Sequence, residues 1–351
     1  MSMNEYGKPG PDFMKRVVFN SLGASDRRTI KGPGRGLDNA VVAVGRTGVM
    51  LITTDPMSVI PAVGMERSAW LSVHLVASDY TTSGLRPEFA AFNFNFPDEM
   101  RTSDRAWYLR CVGTECQKLG VSIVAGHTGS YPGAGYTVIG GGAMFGFGSR
   151  GEYLDPTMAR VGDTILMTKG AAIEATATLA FSFPRYVERE AGGVVLRGAK
   201  RFIGLCSTVR DAALASSFGK GPSGVTSMHD ATEGGVLGAL EEVASASGKA
   251  FVVDRETVHV PPESEAVCGA FKIDPLTSLS EGTLLLTCNE SRAEGLAKRL
   301  RRDGVPAFVI GRVRQGRGLW MSEGGRTPRR LRPKPDQYWK AYMLATESGL
   351  S

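Results

Sequence analysis

The stretch VTSMHDATEGGVLGALEEVASASG, residues 225–248, shows the plan of the fold most clearly. The apolar run VTSM predicts a buried strand, and GGVLGALEEVASAS predicts an amphipathic helix that ends at Gly248. A helix start with two glycines and a threonine hydroxyl offers backbone N–H groups to an anion. Asp230 and Glu233 also stand three residues apart, as in a capping box, which needs no ligand.

The same alternation of strand and helix continues along the chain. Residues 38–60 predict two strands, VVAVG and VMLITTD, and residues 66–79 predict a helix. A second set of elements begins with the strand DTILMTK. We therefore predict an α/β (α+β) fold of two domains. The expected boundaries are residues 1–155, residues 156–335 and a tail of residues 336–351.

Composition places the chain among globular proteins, because 42% of its 351 residues are hydrophobic and 22% are charged. No run of about 18 apolar residues occurs and the N-terminus MSMNEYGKPGPDF is polar, so we expect no membrane span, no leader and a cytoplasmic location. The five cysteines form no CxxC pair, which argues against a disulfide framework or a zinc site. Carboxylates would have to hold any metal, and they favour Mg2+.

The net charge of +6 comes from one region. Residues 298–334 contain twelve Lys or Arg and two acids, whereas the rest of the chain is net acidic. The region's basic segments RRDG, RVRQGRG and RTPRRLRPKP alternate with glycine and proline and lack the aromatic interleaving of a single-strand nucleic-acid platform. A solvated surface is the favoured interpretation; a nucleic-acid partner is possible but not favoured.

A glycine-rich loop, KGPGRGLDNA, occupies residues 31–40 and leads directly into a strand. Its three glycines expose backbone N–H groups, Lys31 and Arg35 supply positive charge, and Asp38 supplies a hard oxygen ligand. The loop could therefore cradle phosphate and metal, or it could be a simple connector. It is not a Walker loop, because no helix follows and no GK[ST] occurs.

Two further acids stand at the ends of regular elements. Asp55 closes the predicted strand VMLITTD, and Asp79 ends a predicted helix, where the helix dipole disfavours negative charge. Each could cap a turn. Together with Asp38 they favour a shared magnesium site over three coincidences.

The segment AGHTG, residues 125–129, follows the strand VSIVA. Ligands of α/β proteins gather at the carboxyl ends of strands, so we expect this segment to be a loop near the ligand. His127 could bind phosphate or transfer a proton, although a lone loop histidine usually does neither.

Taken together, these segments resemble the superfamily that contains aminoimidazole-ribonucleotide synthase, selenophosphate synthetase, thiamine-monophosphate kinase and a hydrogenase-maturation protein. The resemblance covers about residues 16–325. The hydrogenase-maturation-like branch is the most similar. The matching segments are GPGRGLDNAVV, LITTDP, WLSVHLVASDYTTSGLRPEF, IVAGHTGSYPG, VGDTILMTKGAAIEATATLA, MHDATEGGVLGALEEVA and SLSEGTLLLT.

The resemblance implies a homodimer whose N-terminal sheets associate in a barrel-like interface, with ATP and Mg2+ bound between the domains. It implies ATP-driven activation of a carbonyl, amide or phosphate oxygen. The implied metal ligands are Asp38, Asp55 and Asp79. The implied catalytic residues are Asp79, His127 and Asp230. The implied nucleotide-binding residues are Lys31, Gly34, Gly36, Asn39, Thr54, Gly126, Thr128, Thr232, Gly234 and Gly235.

The chain departs from the family pattern at several positions. Leu37 stands where paired aspartates are usual, Ser78 where an Asn-Asp pair is usual, and His127 where several relatives carry aspartate. The last cysteine is Cys288, whereas the hydrogenase-maturation enzyme carries its modified cysteine in a C-terminal tail. The expected substrate is thus a free small molecule or an acceptor protein. The alternatives are a dehydratase for metallocentre maturation and a non-catalytic nucleotide-binding scaffold.

Overall fold

A computed structural model describes residues 7–351 of the chain. The first six residues, which include part of the polar N-terminus and the start of the expected first domain, lie outside the described residues. Within residues 7–351, no helix combines the length and apolar character needed to cross a bilayer.

The first half of the chain forms a six-stranded sheet with helices packed on it. Its strands are β1 (Thr29–Lys31), β2 (Ala40–Val44), β3 (Gly48–Ser58), β4 (Phe89–Pro97), β5 (Ser122–Tyr131) and β6 (Val138–Ser149). Its helices are α1 (Pro11–Arg16), α2 (Met65–Thr81) and α3 (Thr102–Leu119). The strand order is β1-β2-β3-β6-β4-β5, and only the pair β4–β5 is parallel.

The second half forms a seven-stranded sheet in the order β13-β12-β9-β11-β7-β10-β8. Its strands are β7 (Thr164–Thr168), β8 (Val225–Ala231), β9 (Ala250–Asp254), β10 (Thr283–Cys288), β11 (Ala307–Arg314), β12 (Gly318–Ser322) and β13 (Arg329–Arg330). Its helices are α4 (Ile173–Ser182), α5 (Pro184–Ala191), α6 (Gly193–Arg201), α7 (Val209–Phe218), α8 (Gly235–Ser247), α9 (Pro262–Ala270), α10 (Glu290–Arg302) and α11 (Tyr338–Glu347). Short 3₁₀ turns cover Val18–Asn20, Pro156–Met158, Phe202–Leu205 and Arg255–Thr257.

Alternating apolar residues explain why β2 and β3 pair as a hairpin that lies on a core. Every second residue of β3 is buried along most of its length, as expected for a strand with one covered face. Helix α2 covers that face with Val73, Val76 and Tyr80, all fully buried. The mixed α/β architecture with two sheet domains confirms the expected fold class.

The C-terminal segment is more ordered than the expected tail. Helix α11 packs against the second domain, where Tyr338 is 3% exposed and its hydroxyl donates to Thr178 Oγ1 at 2.9 Å. The aromatic residues of this segment complete an apolar cluster of the second domain, and the separate tail of residues 336–351 stays a prediction. The division near residue 155 stays a prediction; β6 ends at Ser149 and β7 begins at Thr164.

A buried polar contact connects the two halves. The backbone N–H of Thr208 donates to the hydroxyl of Ser78 at 2.9 Å, and both residues are fully buried. Ser78 stands one residue before Asp79, so this contact fixes the end of α2 against the second domain.

Candidate functional site

The glycine-rich loop docks on helix α8 and thereby carries Asp38 to strand β8. A Cβ on Gly36 would lie 2.9 Å from the backbone of Glu242, so only glycine allows this approach, and its φ of +70° also favours glycine. The Arg35 guanidinium pairs with Glu241 on the same helix. As a result, Asp38 Oδ1 lies 2.7 Å from His229 Nδ1.

Three residues from two distant segments could hold a metal ion. Ligand atoms of Asp38, His229 and Asp230 all lie within 4.8 Å of one another. Both carboxylate oxygens of Asp230 and Oδ2 of Asp38 are buried without a hydrogen-bond partner among the described residues. Buried polar atoms are normally paired. Unpaired carboxylate oxygens are the ligands that a hard divalent cation prefers, so this group fits Mg2+.

Asp55 and Asp79 belong to the same acidic group. Asp79 is half-buried as a residue, but its carboxyl is shielded from water, and this burial raises its pKa well above the ordinary value. The nearby carboxylates of Asp230, Asp55 and Asp38 raise it further. Burial likewise raises the pKa of Asp55 to about 6. The predicted acids therefore converge, although Asp55 lies inside β3 and does not close the strand.

Sequence reasoning missed two further acids beside this group. Glu281, two residues before β10, is 1% exposed and its Oε1 has no partner among the described residues. Burial raises the pKa of Glu281 well above its ordinary value, and Asp230 and Glu174 raise it further. Burial also raises the pKa of Glu174 to about 8. The signal for Glu281 was an acid and a glycine just before the apolar run of the quoted segment SLSEGTLLLT.

Lys8, also missed, brings a positive charge to the acids. Its ammonium donates to Thr232 Oγ1 at 2.9 Å, and its backbone N–H donates to the Glu233 carboxylate. Burial of the ammonium opposes its charge, but Glu242, Asp79 and nearby acids outweigh burial and raise the pKa of Lys8. The lysine thus stays charged inside the acidic group, although the residue as a whole is exposed.

His229 lies between two carboxylates. Its Nε2 is 3.2 Å from Glu242 Oε2, while its Nδ1 faces Asp38 at an angle poor for a hydrogen bond. Burial lowers the pKa of His229, yet Asp38 and Glu242 together raise it well above its ordinary value. Burial also raises the pKa of Asp230, to about 7.

At the start of helix α8 two backbone N–H groups donate within the chain, and the binding roles of Thr232, Gly234 and Gly235 stay predictions. We expected its backbone N–H groups to be free for an anion, but Gly234 N–H donates to Asp336 Oδ2 at 3.0 Å and Gly235 N–H donates to the Thr232 carbonyl at 3.1 Å. A carboxylate from the C-terminal segment therefore already occupies this helix start.

Several predicted nucleotide-binding residues have structural partners. Lys31 donates to Thr157 Oγ1 at 2.8 Å, and Thr54 donates to the Gly142 carbonyl at 2.9 Å. Asn39 donates to the backbone carbonyl of Asp79 at 2.7 Å and so caps the end of α2. The atoms nearest to a Cβ on Gly34 would be those of the Leu37 side chain and the Gly32 carbonyl. The roles predicted for these residues stay predictions.

The segment AGHTG lies within strand β5, not in a loop. Gly126, His127 and Thr128 pair with β4, and the His127 Nε2 and Tyr131 hydroxyl are 2.6 Å apart. Three strand spacings separate β5 from β3, so His127 lies roughly 14 Å from Asp55 across the sheet. The structure therefore does not bring His127 to the acidic group, because the strand continues past the expected loop.

Comparison with known proteins gives matches along most of the chain. The model of the AIR synthase related protein, N-terminal domain, matches residues 36–147, and that of the C-terminal domain matches residues 160–320. Carbamoyl dehydratase HypE of Cupriavidus necator is 27% identical over 80% of this chain and 77% of that protein.

Two solved structures share the fold. Hydrogenase maturation protein HypE in complex with ATP is 21% identical with a TM-score of 0.65, covering 95% of this chain and 97% of that chain. AaThiL complexed with AMPPCP and TMP is 16% identical with a TM-score of 0.66, covering 92% and 99%. The chain belongs to the AIR synthase-related family and is similar to HypE within that superfamily.

Proposed function

We propose that this protein binds ATP with Mg2+ at the acidic group and transfers the γ-phosphoryl group to a carbonyl, amide or phosphate oxygen. The observation that carries the proposal is the convergence of Asp38, Asp55, Asp79 and Asp230 from both domains. Asp38 Oδ2 and both Asp230 carboxylate oxygens are buried there without a partner among the described residues. The similarity to HypE and to AaThiL, whose structures contain ATP and AMPPCP, supports the nucleotide.

The chain contributes charge and position to this reaction. Asp38, Asp55, Asp79 and Asp230 would hold the metal, which supplies neutralising charge to the transferring phosphoryl group when bound. Lys8 would place its ammonium against phosphate oxygens, since it already reaches Thr232 beside the acids. The acceptor oxygen forms a bond to the γ-phosphorus as the bond to the bridging β–γ oxygen breaks, and ADP leaves.

The exposed edge of the first sheet supports a homodimer. Strand β5 ends the sheet, almost all of its residues are exposed, and Ile123 and Val124 are 48% and 53% exposed. An unpaired edge with exposed apolar side chains favours pairing with a second copy. His127 and Thr128 would then line the dimer interface, where a second sheet would complete the barrel-like arrangement.

Turnover of ATP with and without Mg2+ tests the proposal. Wild-type protein should hydrolyse or transfer phosphate only with Mg2+, and Asp38→Asn should lower turnover at least about a hundredfold because it removes a charged ligand. Asp98→Asn is the matched control, since Asp98 is exposed and remote from the acids. Equal activity of Asp38→Asn and Asp98→Asn would contradict the proposal.

A dehydratase that acts on an acceptor protein is the second candidate, favoured by the similarity to carbamoyl dehydratase HypE. The two candidates differ in the acceptor. Phosphate release from ATP that requires an added partner protein would favour the dehydratase, whereas release driven by a metabolite alone would favour a small-molecule kinase or synthase. Binding of ATP without any turnover would leave the scaffold alternative.

A further inference from the structure

A second cavity lies between the two domains, on the face of α2 that carries Trp70, His74 and Thr81. Its volume is about 580 Å3, within the range of small-molecule sites. The turn after α2, the end of α3, the segment before α7, helix α7 itself and the loop before β11 form its other walls. Both domains therefore contribute to it.

Positive charge dominates this cavity. Among residues 7–351, four basic side chains line it and one acid, Asp211, does so. Lys169 and Asp211 form a buried pair at 2.8 Å and neutralise each other. Lys169 also donates to the backbone carbonyls of Ser207 and Gly282, so its three N–H groups are all used.

Two guanidinium groups remain without an acidic partner. Arg86 comes from the first domain and Arg210 from the second, and neither forms an ion pair with an acid within 4.0 Å among residues 7–351. Arg210 donates only to the backbone carbonyl of Asp303. Guanidinium groups bind carboxylate and phosphate groups in a fork geometry, so an anionic group fits at this rim.

The fourth basic side chain, Lys118, is paired with Glu115 at 2.7 Å, and the rest of the lining is uncharged and mostly apolar. Trp70 and His74 stack with ring centroids 4.3 Å apart, and Leu119, Val209 and Val305 add aliphatic surface. Burial lowers the pKa of His74 to about 4, so the imidazole is neutral near pH 7. Such a lining accepts an apolar or aromatic ligand body.

We propose that this cavity binds a small organic anion. Its aromatic body would lie against Trp70 and Val305, and its carboxylate or phosphate would lie between Arg86 and Arg210. The site is separate from the acidic group, because Asp79 faces Asp38 and Asp230 whereas the cavity uses the α2 face of Trp70 and His74. The proposal thus does not depend on ATP binding.

Calorimetric titration of the full chain in EDTA tests the site, with benzoate and phenyl phosphate as probes. Both should bind once per chain and saturably. Benzyl alcohol, which lacks the charge, and inorganic phosphate, which lacks the aromatic body, should each bind at least about tenfold more weakly. No saturable binding of either aromatic anion would overturn the proposal.

Variants locate the binding. The double variant Arg86→Gln/Arg210→Gln should weaken both probes at least about tenfold, while Arg329→Gln, an exposed arginine on β13, should not. Ala213→Phe, on the exposed side of α7 at the cavity, should abolish binding by filling the space. Asp79→Asn should bind the probes normally. Unchanged binding in the first variant and in Ala213→Phe, or loss in Asp79→Asn, would contradict the site.

Discussion

Helix α2 separates two polar sites of opposite charge. Beside Asp79, carboxylates of both domains converge, and several of their buried oxygens have no partner in the described chain. On the other side, the buried acid Asp211 is paired with Lys169 and bonded to Thr168. The paired charge contributes to the stability of the fold, whereas an unpaired buried charge costs stability, so the unpaired carboxylates indicate a ligand site.

The largest expected effect on stability is at the buried ion pair of Lys169 and Asp211. Lys169→Met leaves the Asp211 carboxylate buried without its cation, so it should lower the free energy of unfolding by about 3–5 kcal/mol. Lys272→Met is a matched control, because Lys272 has a similar positive φ but is exposed. Urea denaturation measures both. A loss below about 1 kcal/mol for Lys169→Met would show that this pair is not structural.

The next effect is a pH dependence of stability that comes from the acids beside Asp79. The pKa values of Asp55, Asp230 and Glu174 are raised to about 6, 7 and 8, above those of the unfolded chain. The folded state then binds more protons, so the metal-free protein should lose stability as pH rises from about 4 to 8. Saturating Mg2+ should flatten this slope. If denaturation curves in EDTA showed stability rising from about pH 4 to 8, they would contradict the raised pKa values of these acids.

A smaller effect should separate stability from function at one residue. Asp230→Asn removes a buried charge from the acidic group and should raise metal-free stability by about 1–2 kcal/mol while it abolishes Mg2+-dependent turnover. Thermal unfolding in EDTA measures the first effect. Asp98→Asn should change neither quantity. Destabilisation by Asp230→Asn would mean that its carboxylate has a partner in the folded chain.

The smallest effect lies at the boundary between the two sites. Ser78→Ala removes the acceptor of the Thr208 N–H and should cost about 1 kcal/mol. Ser217→Ala, on the exposed surface of α7, should cost less than about 0.5 kcal/mol. If urea denaturation gave the same loss of unfolding free energy for Ser78→Ala and Ser217→Ala, the contact between Ser78 and Thr208 would contribute nothing to stability.

Local sequence patterns predict much of this architecture. The hairpin β2–β3 and helix α2 follow from periodic apolar residues and from the turn that ends before Gly48. Asp55 and Asp79 could be chosen because acids stand out against the apolar segments that precede them. These signals are local, so the sequence alone can reveal them.

The rest depends on contacts between distant segments. Lys8 and Glu233 are 225 residues apart, and no local pattern links them. Gly36 suggested a phosphate loop, but its close approach to Glu242 on α8 depends on tertiary packing. The position of His127 after the strand VSIVA predicts a loop at a strand end, yet pairing with β4 extends the strand through this segment. Arg86 and Arg210 meet at one cavity only in the folded chain.

Calorimetric titration of ATP, with Mg2+ and with EDTA, tests the central claim most directly. Wild-type protein should bind ATP tightly only with Mg2+, and Asp79→Asn should weaken that binding at least about tenfold. The same affinity with Mg2+ and with EDTA, in both proteins, would show that the converging acids do not hold a metal–nucleotide complex.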